Sequence, residues 1–213
     1  MSTDPTAATQ ATAPAATDKN EALAEFAWTV PADAGDTLLP MGRAAISTAL
    51  GRPQVAAADA AWLQEPGACF VTLTQQGQLR GCIGSLEVRR SLTEDVKSNA
   101  VAAALHDTRF APLTLAELAY TSLEVSVLSP MQTLNFDTEA QALAQLHPGV
   151  DGVVLQFGRY RSTFLPQVWE QLPDVHQFMS HLKQKAGLPP DFWRAGVQLQ
   201  RYSVRKWLEE RPG

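Results

Sequence analysis

Apolar residues recur at helical spacing in four stretches of the chain. Ser91 followed by Glu94 forms a capping box, a common start of a helix. Gly51 and Gly187 follow two of these stretches, and glycine in that place ends a helix because it adopts the left-handed conformation at little cost. The pattern predicts a capped turn at 114–117 and four helices at 36–50, 91–106, 139–146 and 174–186.

Six further segments have the alternation of polar and apolar residues, or the β-branched and aromatic content, of strands. Gly77 and Gly158 each lie between two of them, which predicts two hairpins, and Trp207 lies beyond the last strand. Hairpins mixed with helices, without regular strand–helix alternation, predict an α+β fold with a mainly antiparallel sheet. The predicted strands are 69–75, 78–83, 122–128, 152–157, 160–165 and 197–204.

The first hairpin also predicts a register. If Gln75 lies opposite Gln78, Val71 faces Cys82, and Cys69 falls on the same face as Cys82 but one diagonal step away. In the same register Leu73 faces Arg80. Diagonal neighbours are about 7–8 Å apart, which is too far for an undistorted disulfide.

Composition and charge narrow the class of protein. The chain has 213 residues, a hydrophobic content of 45% and a net charge of -5, which favour a globular domain and argue against a general nucleic-acid surface. Residues 1–20 are rich in alanine, threonine and proline, so we expect a disordered tail before one domain at 21–213. The absence of a secretory signal and of a long apolar run, together with only two cysteines, predicts a cytoplasmic protein without a membrane span.

One heptapeptide concentrates the candidate chemistry: Leu79-Arg80-Gly81-Cys82-Ile83-Gly84-Ser85. In an extended segment Arg80 and Cys82 point to the same face, and a cation beside a thiol favours the nucleophilic thiolate. A lone cysteine is also commonly a small buried hydrophobe, so the residues alone leave both interpretations open. His106 closes a predicted helix and is the nearest candidate base, although a histidine there also suits the helix dipole.

An ordered set of segments resembles the AMMECR domain family, which is called AmmeMemoRadiSam system protein A in prokaryotes. Besides the heptapeptide, the set consists of residues 67–74, 99–100, 107–110, 123–129, 164–168 and 185–188. The resemblance extends from about Leu38 to Trp207 and departs from the family pattern at Thr108, where a proline is usual. It implies an α+β architecture in which a larger mixed domain carries a smaller strand-rich part.

The resemblance also implies functional roles for the candidate site residues, which stand beside structural alternatives. Cys82 is the candidate nucleophile, and Glu124, in the middle of an alternating strand, is the candidate acid or base. The expected ligand-binding residues are Arg80, Asn99, Asp107, Arg109 and Gln167. The alternatives are a local ion pair for the Asp107–Arg109 loop, solvent exposure for Glu124 and backbone satisfaction for Gln167.

The resemblance leaves the biochemical activity undetermined. An enzyme or enzyme-complex subunit, acting with a Memo-like protein and a radical S-adenosylmethionine (SAM) protein, is one expectation. A non-catalytic adaptor and an RNA- or nucleotide-binding protein are the alternatives. No residue spacing predicts a metal site or a cofactor, and two cysteines cannot form the cluster that radical chemistry requires, so such chemistry would belong to a partner.

Overall fold

The structure is a computed structural model that describes Phe26, residues 30–56 and residues 59–209. The tail predicted at residues 1–20 lies outside this part of the chain. The helices are α1 Gly35–Ala49, α2 Leu92–Leu105, α3 Leu115–Leu118, α4 Glu139–Leu143 and α5 Val175–Lys185. The strands are β1 Pro66–Gly67, β2 Cys69–Gln75, β3 Gln78–Gly84, β4 Arg90–Ser91, β5 Ser122–Leu128, β6 Gln132–Thr133, β7 Gly152–Phe157, β8 Tyr160–Phe164, β9 Gln198–Tyr202 and β10 Val204–Leu208.

Local signals placed the starts of the helices well. Both capping boxes are present, at the start of α2 and at the start of α3. Helix α1 begins one residue before the predicted range, with Ala34 at its N-cap and Asp36 in its first turn. Helix α4 is also shorter than predicted: it is capped by Thr138 and ends at Leu143.

The single strand predicted at 197–204 is wrong. The chain leaves β9 at Tyr202, passes through Ser203 and enters β10, which belongs to a different sheet and contains Trp207. Tyr202 and Ser203 are both buried, so the alternation that a continuous strand requires is broken at this point. The Tyr202 ring packs directly on Gly152, where a Cβ would lie 2.3 Å from the ring.

The described chain divides into two compact units. The cysteine unit, named for its two cysteines, comprises residues 30–56, 59–130 and 204–209 and contains a four-stranded sheet in the order β10-β5-β2-β3. The second unit comprises Phe26 and residues 131–203 and contains a four-stranded sheet in the order β6-β9-β7-β8. All pairings in both sheets are antiparallel, which confirms the predicted α+β class with mainly antiparallel sheet.

The core of the cysteine unit lies on one face of its sheet, which we call the inner face. Cys69, Val71 and Leu73 alternate along β2 and are each at most 1% exposed, and they belong to the same apolar cluster as residues of α1 and α2. Gly81 of β3 lets α2 approach closely, because a Cβ there would lie 2.1 Å from the Ala103 carbonyl oxygen. The inner face is therefore closed, and the polar residues of the same strands lie on the outer face.

Candidate functional site

Cys82 lies on the outer face of the sheet, at its β3 edge. A β-bulge makes Arg80 an extra residue in β3, so that Cys82 pairs with Thr72 and Gly81 pairs with Leu73. The predicted register, with Val71 opposite Cys82 and Leu73 opposite Arg80, is therefore wrong. Cys69 and Cys82 lie on opposite faces, because alternation along β2 separates Cys69 from Thr72.

An ion pair holds the backbone of Cys82 at the open edge of the sheet. Asp107 Oδ2 accepts the Cys82 N–H at 2.9 Å, and Arg109 Nη2 donates to the Cys82 carbonyl at 3.3 Å. The two side chains bind each other through two hydrogen bonds of 2.9 Å and 2.7 Å. They replace the neighbouring strand that this edge lacks, which gives the pair a structural role.

The same contacts set the electrostatics of the pair. The hydrogen bond from Arg109, followed by the one from the Cys82 N–H, holds the pKa of Asp107 well below its usual range. Asp107 in turn raises the pKa of Arg109, and the Cys82 side chain adds to that effect. Arg109 therefore stays a charged guanidinium beside the Cys82 carbonyl.

Arg80 is directed elsewhere. Its Nη2 donates to Glu117 Oε1 at 3.3 Å, and its guanidinium carbon lies 6.0 Å from the centre of the Phe110 ring. Its buried Nη1 has no hydrogen-bond partner among the described residues. The bulge explains this placement, because the extra residue does not follow the alternation on which the expectation for Arg80 and Cys82 was based.

Glu124 occupies the outer face in the same cross-strand row as Cys82. Thr72 lies between them, paired with Glu124 on one side and with Cys82 on the other. Two strand spacings separate Cys82 from Glu124, which is about 10 Å. Glu124 accepts a hydrogen bond from Ser126 at 3.1 Å and lies 3.9 Å from Lys206 Nζ, so it is partly exposed and locally paired.

The thiol of Cys82 has one hydrogen-bond partner among the described residues. Thr72 Oγ1 donates to Cys82 Sγ at 3.4 Å. His106, the candidate base from the sequence, is exposed at the end of α2 and makes no described contact with the thiol. A nucleophile requires a base within hydrogen-bond reach, and the described part of the chain brings none to Cys82.

Asn99 belongs to a buried network that the sequence did not reveal. Asp95, which is 2% exposed, accepts the Cys69 N–H at 2.8 Å and the Asn99 amide at 3.0 Å. It also accepts the Ser85 hydroxyl at 2.8 Å and Arg90 Nε at 2.8 Å. The available signal was the spacing of an aspartate and an asparagine four residues apart on the small-residue face of α2.

Gln167 lies in the second unit, in a short 3-10 helix at Pro166–Glu170. The candidate site described above is built from the cysteine unit alone.

The second unit also contains a fully buried carboxylate, Asp151, which contacts His147 and Arg201. Burial raises the pKa of Asp151 to about 6.

Basic residues that lie near aromatic ones in the sequence have partners within the chain. Arg159 lies over the ring of Tyr160, Arg201 contacts His147, and Arg205 donates to the Val30 carbonyl.

Across the described residues, no helix has both the length and the apolar character needed to cross a bilayer.

Comparisons with known proteins place the chain in one family. The AMMECR1 family profile matches residues 39–207. Protein MJ0810 of Methanocaldococcus jannaschii is 38% identical over 152 residues, which cover 70% of this chain and 76% of that protein. A protein of Methanothermobacter thermautotrophicus is 36% identical over 143 residues, covering 66% of this chain and 74% of its own length.

A solved structure shares the fold. The crystal structure of uncharacterized protein PH0010 from Pyrococcus horikoshii superposes with a TM-score of 0.72 at 30% sequence identity. The superposition covers 87% of this chain and 96% of that one.

Proposed function

The chain belongs to the AMMECR1 family, and from this premise and the geometry of its site we propose that it is a binding subunit of an enzyme complex. Its outer face is the surface that contacts the other components. The covalent chemistry takes place on a partner and not at Cys82.

The surroundings of the Cys82 thiol carry this proposal. Arg80, the residue expected to favour the thiolate, binds Glu117 instead, and the Asp107–Arg109 pair holds the Cys82 backbone. Thr72 is the thiol's partner in the described chain, and a threonine hydroxyl is not a general base at neutral pH. This arrangement supports a rigid surface better than a catalytic pair.

The composition of the outer face supports the same role. Leu208 of β10 and Leu79 of β3 lie at the two edges of this face and are 57% and 44% exposed. The same face carries Glu124 and Lys206, whose charges have opposite sign. Exposed apolar residues beside paired charges are a common composition of protein-binding surfaces.

The family resemblance supplies the proposed partners, a Memo-like protein and a radical SAM protein in the cytoplasm. Iron–sulfur clusters of radical enzymes are held by several cysteine thiolates, whereas this sequence contains only Cys69 and Cys82. Cys69 is fully buried. The radical step is therefore assigned to the partner.

A binding experiment with purified partners tests the proposal. The Memo-like and radical SAM proteins of the same organism are titrated with the wild-type chain and with Leu208→Asp, Cys82→Ala and Val55→Asp. Val55 is 98% exposed in the loop after α1, the helix that packs on the inner face, and so serves as the control.

We expect Leu208→Asp to weaken the complex about tenfold or more, as loss of an apolar anchor does. Cys82→Ala and Val55→Asp should bind as the wild type does. The absence of a complex with either partner would reject the proposal. A Cys82→Ala complex that assembles normally but has lost all turnover would make Cys82 a catalytic thiol instead.

A further inference from the structure

A cavity of about 500 Å³ opens at the end of β3. It lies between the loop that follows β3 and the first turn of α2, and its volume is typical of small-molecule sites. It is lined by Ser85, Leu86, Glu87, Arg89, Arg90 and Asp95. None of these residues has a role in the binding surface proposed above.

Arg90 is held in a fixed orientation in this cavity. Its Nε donates to Asp95 Oδ1 at 2.8 Å, and its Nη2 makes only a long contact of 3.5 Å with Asn99 Oδ1. Its Nη1 makes no hydrogen bond to any described residue, and the side chain is 35% exposed. The Nη1–Nη2 edge of the guanidinium is therefore available, while the opposite side is anchored.

The anchor is rigid because Asp95 is buried and fully used. Its Oδ2 accepts the Cys69 N–H and the Asn99 amide, and its Oδ1 accepts the Ser85 hydroxyl as well as Arg90. With its acceptors occupied, Asp95 positions Arg90 rather than binding a ligand itself. The Arg90 guanidinium is thus a ligand-binding group held in place from behind.

We propose that this cavity binds the oxyanion group of a small molecule, a carboxylate or a phosphate, through the Nη1–Nη2 edge of Arg90. A planar guanidinium edge matches two oxygens of either group, and its fixed orientation lowers the entropy lost on binding. Arg89 also lines the cavity, but its side chain is 80% exposed and paired with Glu87 at 2.8 Å, so it takes no part in the proposed contact. The inference goes beyond the binding-subunit proposal and does not depend on it.

Titration of the full-length protein with inorganic phosphate and with acetate, at constant ionic strength, tests the inference. The arginine Nε–H signals in ¹⁵N NMR spectra report binding. We expect the Arg90 signal to shift saturably, with a Kd in the millimolar range, for at least one anion. The two titrations distinguish a phosphate site from a carboxylate site. The Arg159 signal, from the second unit, should not follow the same curve.

Variants distinguish the contribution of the guanidinium edge to anion binding from the contribution of its positive charge. Arg90→Lys keeps the charge without the edge, and we expect it to weaken binding about tenfold or more. Arg89→Gln and Arg159→Gln should change the Kd less than about threefold. The wild-type Arg90 signal gives a result even if an Arg90 variant does not fold.

Two outcomes would overturn the inference: an Arg90 signal that fails to saturate with either anion, or equal losses in Arg90→Lys, Arg89→Gln and Arg159→Gln. Leu208→Asp should bind anions as the wild type does. If the wild-type protein forms the partner complex but binds neither anion, this inference is rejected and the proposed function is not.

Discussion

Cys69 and Cys82 lie on neighbouring strands, and each has its backbone N–H held by an aspartate that is itself paired with an arginine. Asp95 holds Cys69 at 2.8 Å from within the core, whereas Asp107 holds Cys82 at 2.9 Å at the edge of the sheet. Their arginine partners are Arg90 and Arg109. The first arrangement buries its thiol completely, and the second leaves its thiol on the outer face.

The comparison shows that an aspartate beside a cysteine in this fold is primarily a backbone anchor. A loss of function in an Asp107 variant would therefore report a displaced strand before it reported lost chemistry. The face on which each thiol lies decides what it can do, and that face depends on the strand register.

The largest expected difference is in thiol accessibility. We expect Cys82 to react with iodoacetamide in the folded protein on the order of a thousandfold faster than Cys69, because Cys69 is 0% exposed and reacts only after unfolding. Burial also raises the pKa of the Cys69 thiol. Intact mass spectrometry of Cys69→Ala and Cys82→Ala proteins measures each rate separately, and the two rates should converge in urea. Rapid labelling of Cys69 in native Cys82→Ala protein would contradict the inner-face position.

The next largest effect is on stability. Asp95→Ala leaves the Cys69 N–H, Asn99 and Arg90 without their buried acceptor, and we expect a loss of about 3–5 kcal/mol in the free energy of unfolding. Urea unfolding followed by circular dichroism measures it. Asp107→Ala is the matched variant and should lose distinctly less, because its partner Arg109 is 54% exposed and water can replace the lost acceptor. Equal losses would mean that the two anchors are equivalent.

The two glycines of the heptapeptide allow the same comparison for packing, because Gly81 faces the core and Gly84 lies on the outer face. Gly81→Ala drives a Cβ against the Ala103 backbone oxygen, and we expect it to cost about 1–3 kcal/mol. Gly84→Ala meets only the ring of Phe70, a half-buried side chain that can turn away, so its cost should be smaller. Thermal and urea unfolding of both variants test the order. A larger loss for Gly84→Ala would show that Phe70 is held more rigidly than α2.

The smallest effect is a pH dependence at the edge anchor. The pKa of Asp107 is lower in the folded protein than its unfolded value of about 3.9, so its stabilising contribution is complete above that pH. The contribution is lost as the pH falls through the folded pKa. The stability gap between wild type and Asp107→Asn should therefore narrow from pH 5 towards about pH 2. If this difference in stability stayed constant over the range, the charge of Asp107 would not contribute to the stability of the edge.

Much of the fold could be predicted because its signals are local. The Ser91–Glu94 capping box and the turn at Gly77 depend on residues that are adjacent in sequence, and both elements appear where expected. The break at Ser203 could not be predicted in the same way, since it depends on two strands pairing in different sheets.

The candidate site was predictable only in part. The sequence placed Asp107 and Arg109 beside Cys82 by resemblance, and the structure brings these three residues together. It did not reveal that Arg80 is a bulge residue bound to Glu117, because a bulge shifts every later partner along the strand. That Glu124 acts as an acid or base, and that Gln167 binds a ligand, both stay predictions.

By itself the sequence determined the kinds of elements, their starts and turns, and the family, because these follow from propensities and motifs that act over a few residues. The tertiary structure alone decided which cysteine is buried, where Arg80 points, and that Asp95 anchors Arg90 at a cavity. Each of these depends on which distant groups share a strand edge or a buried space, and spacing along the chain does not specify that.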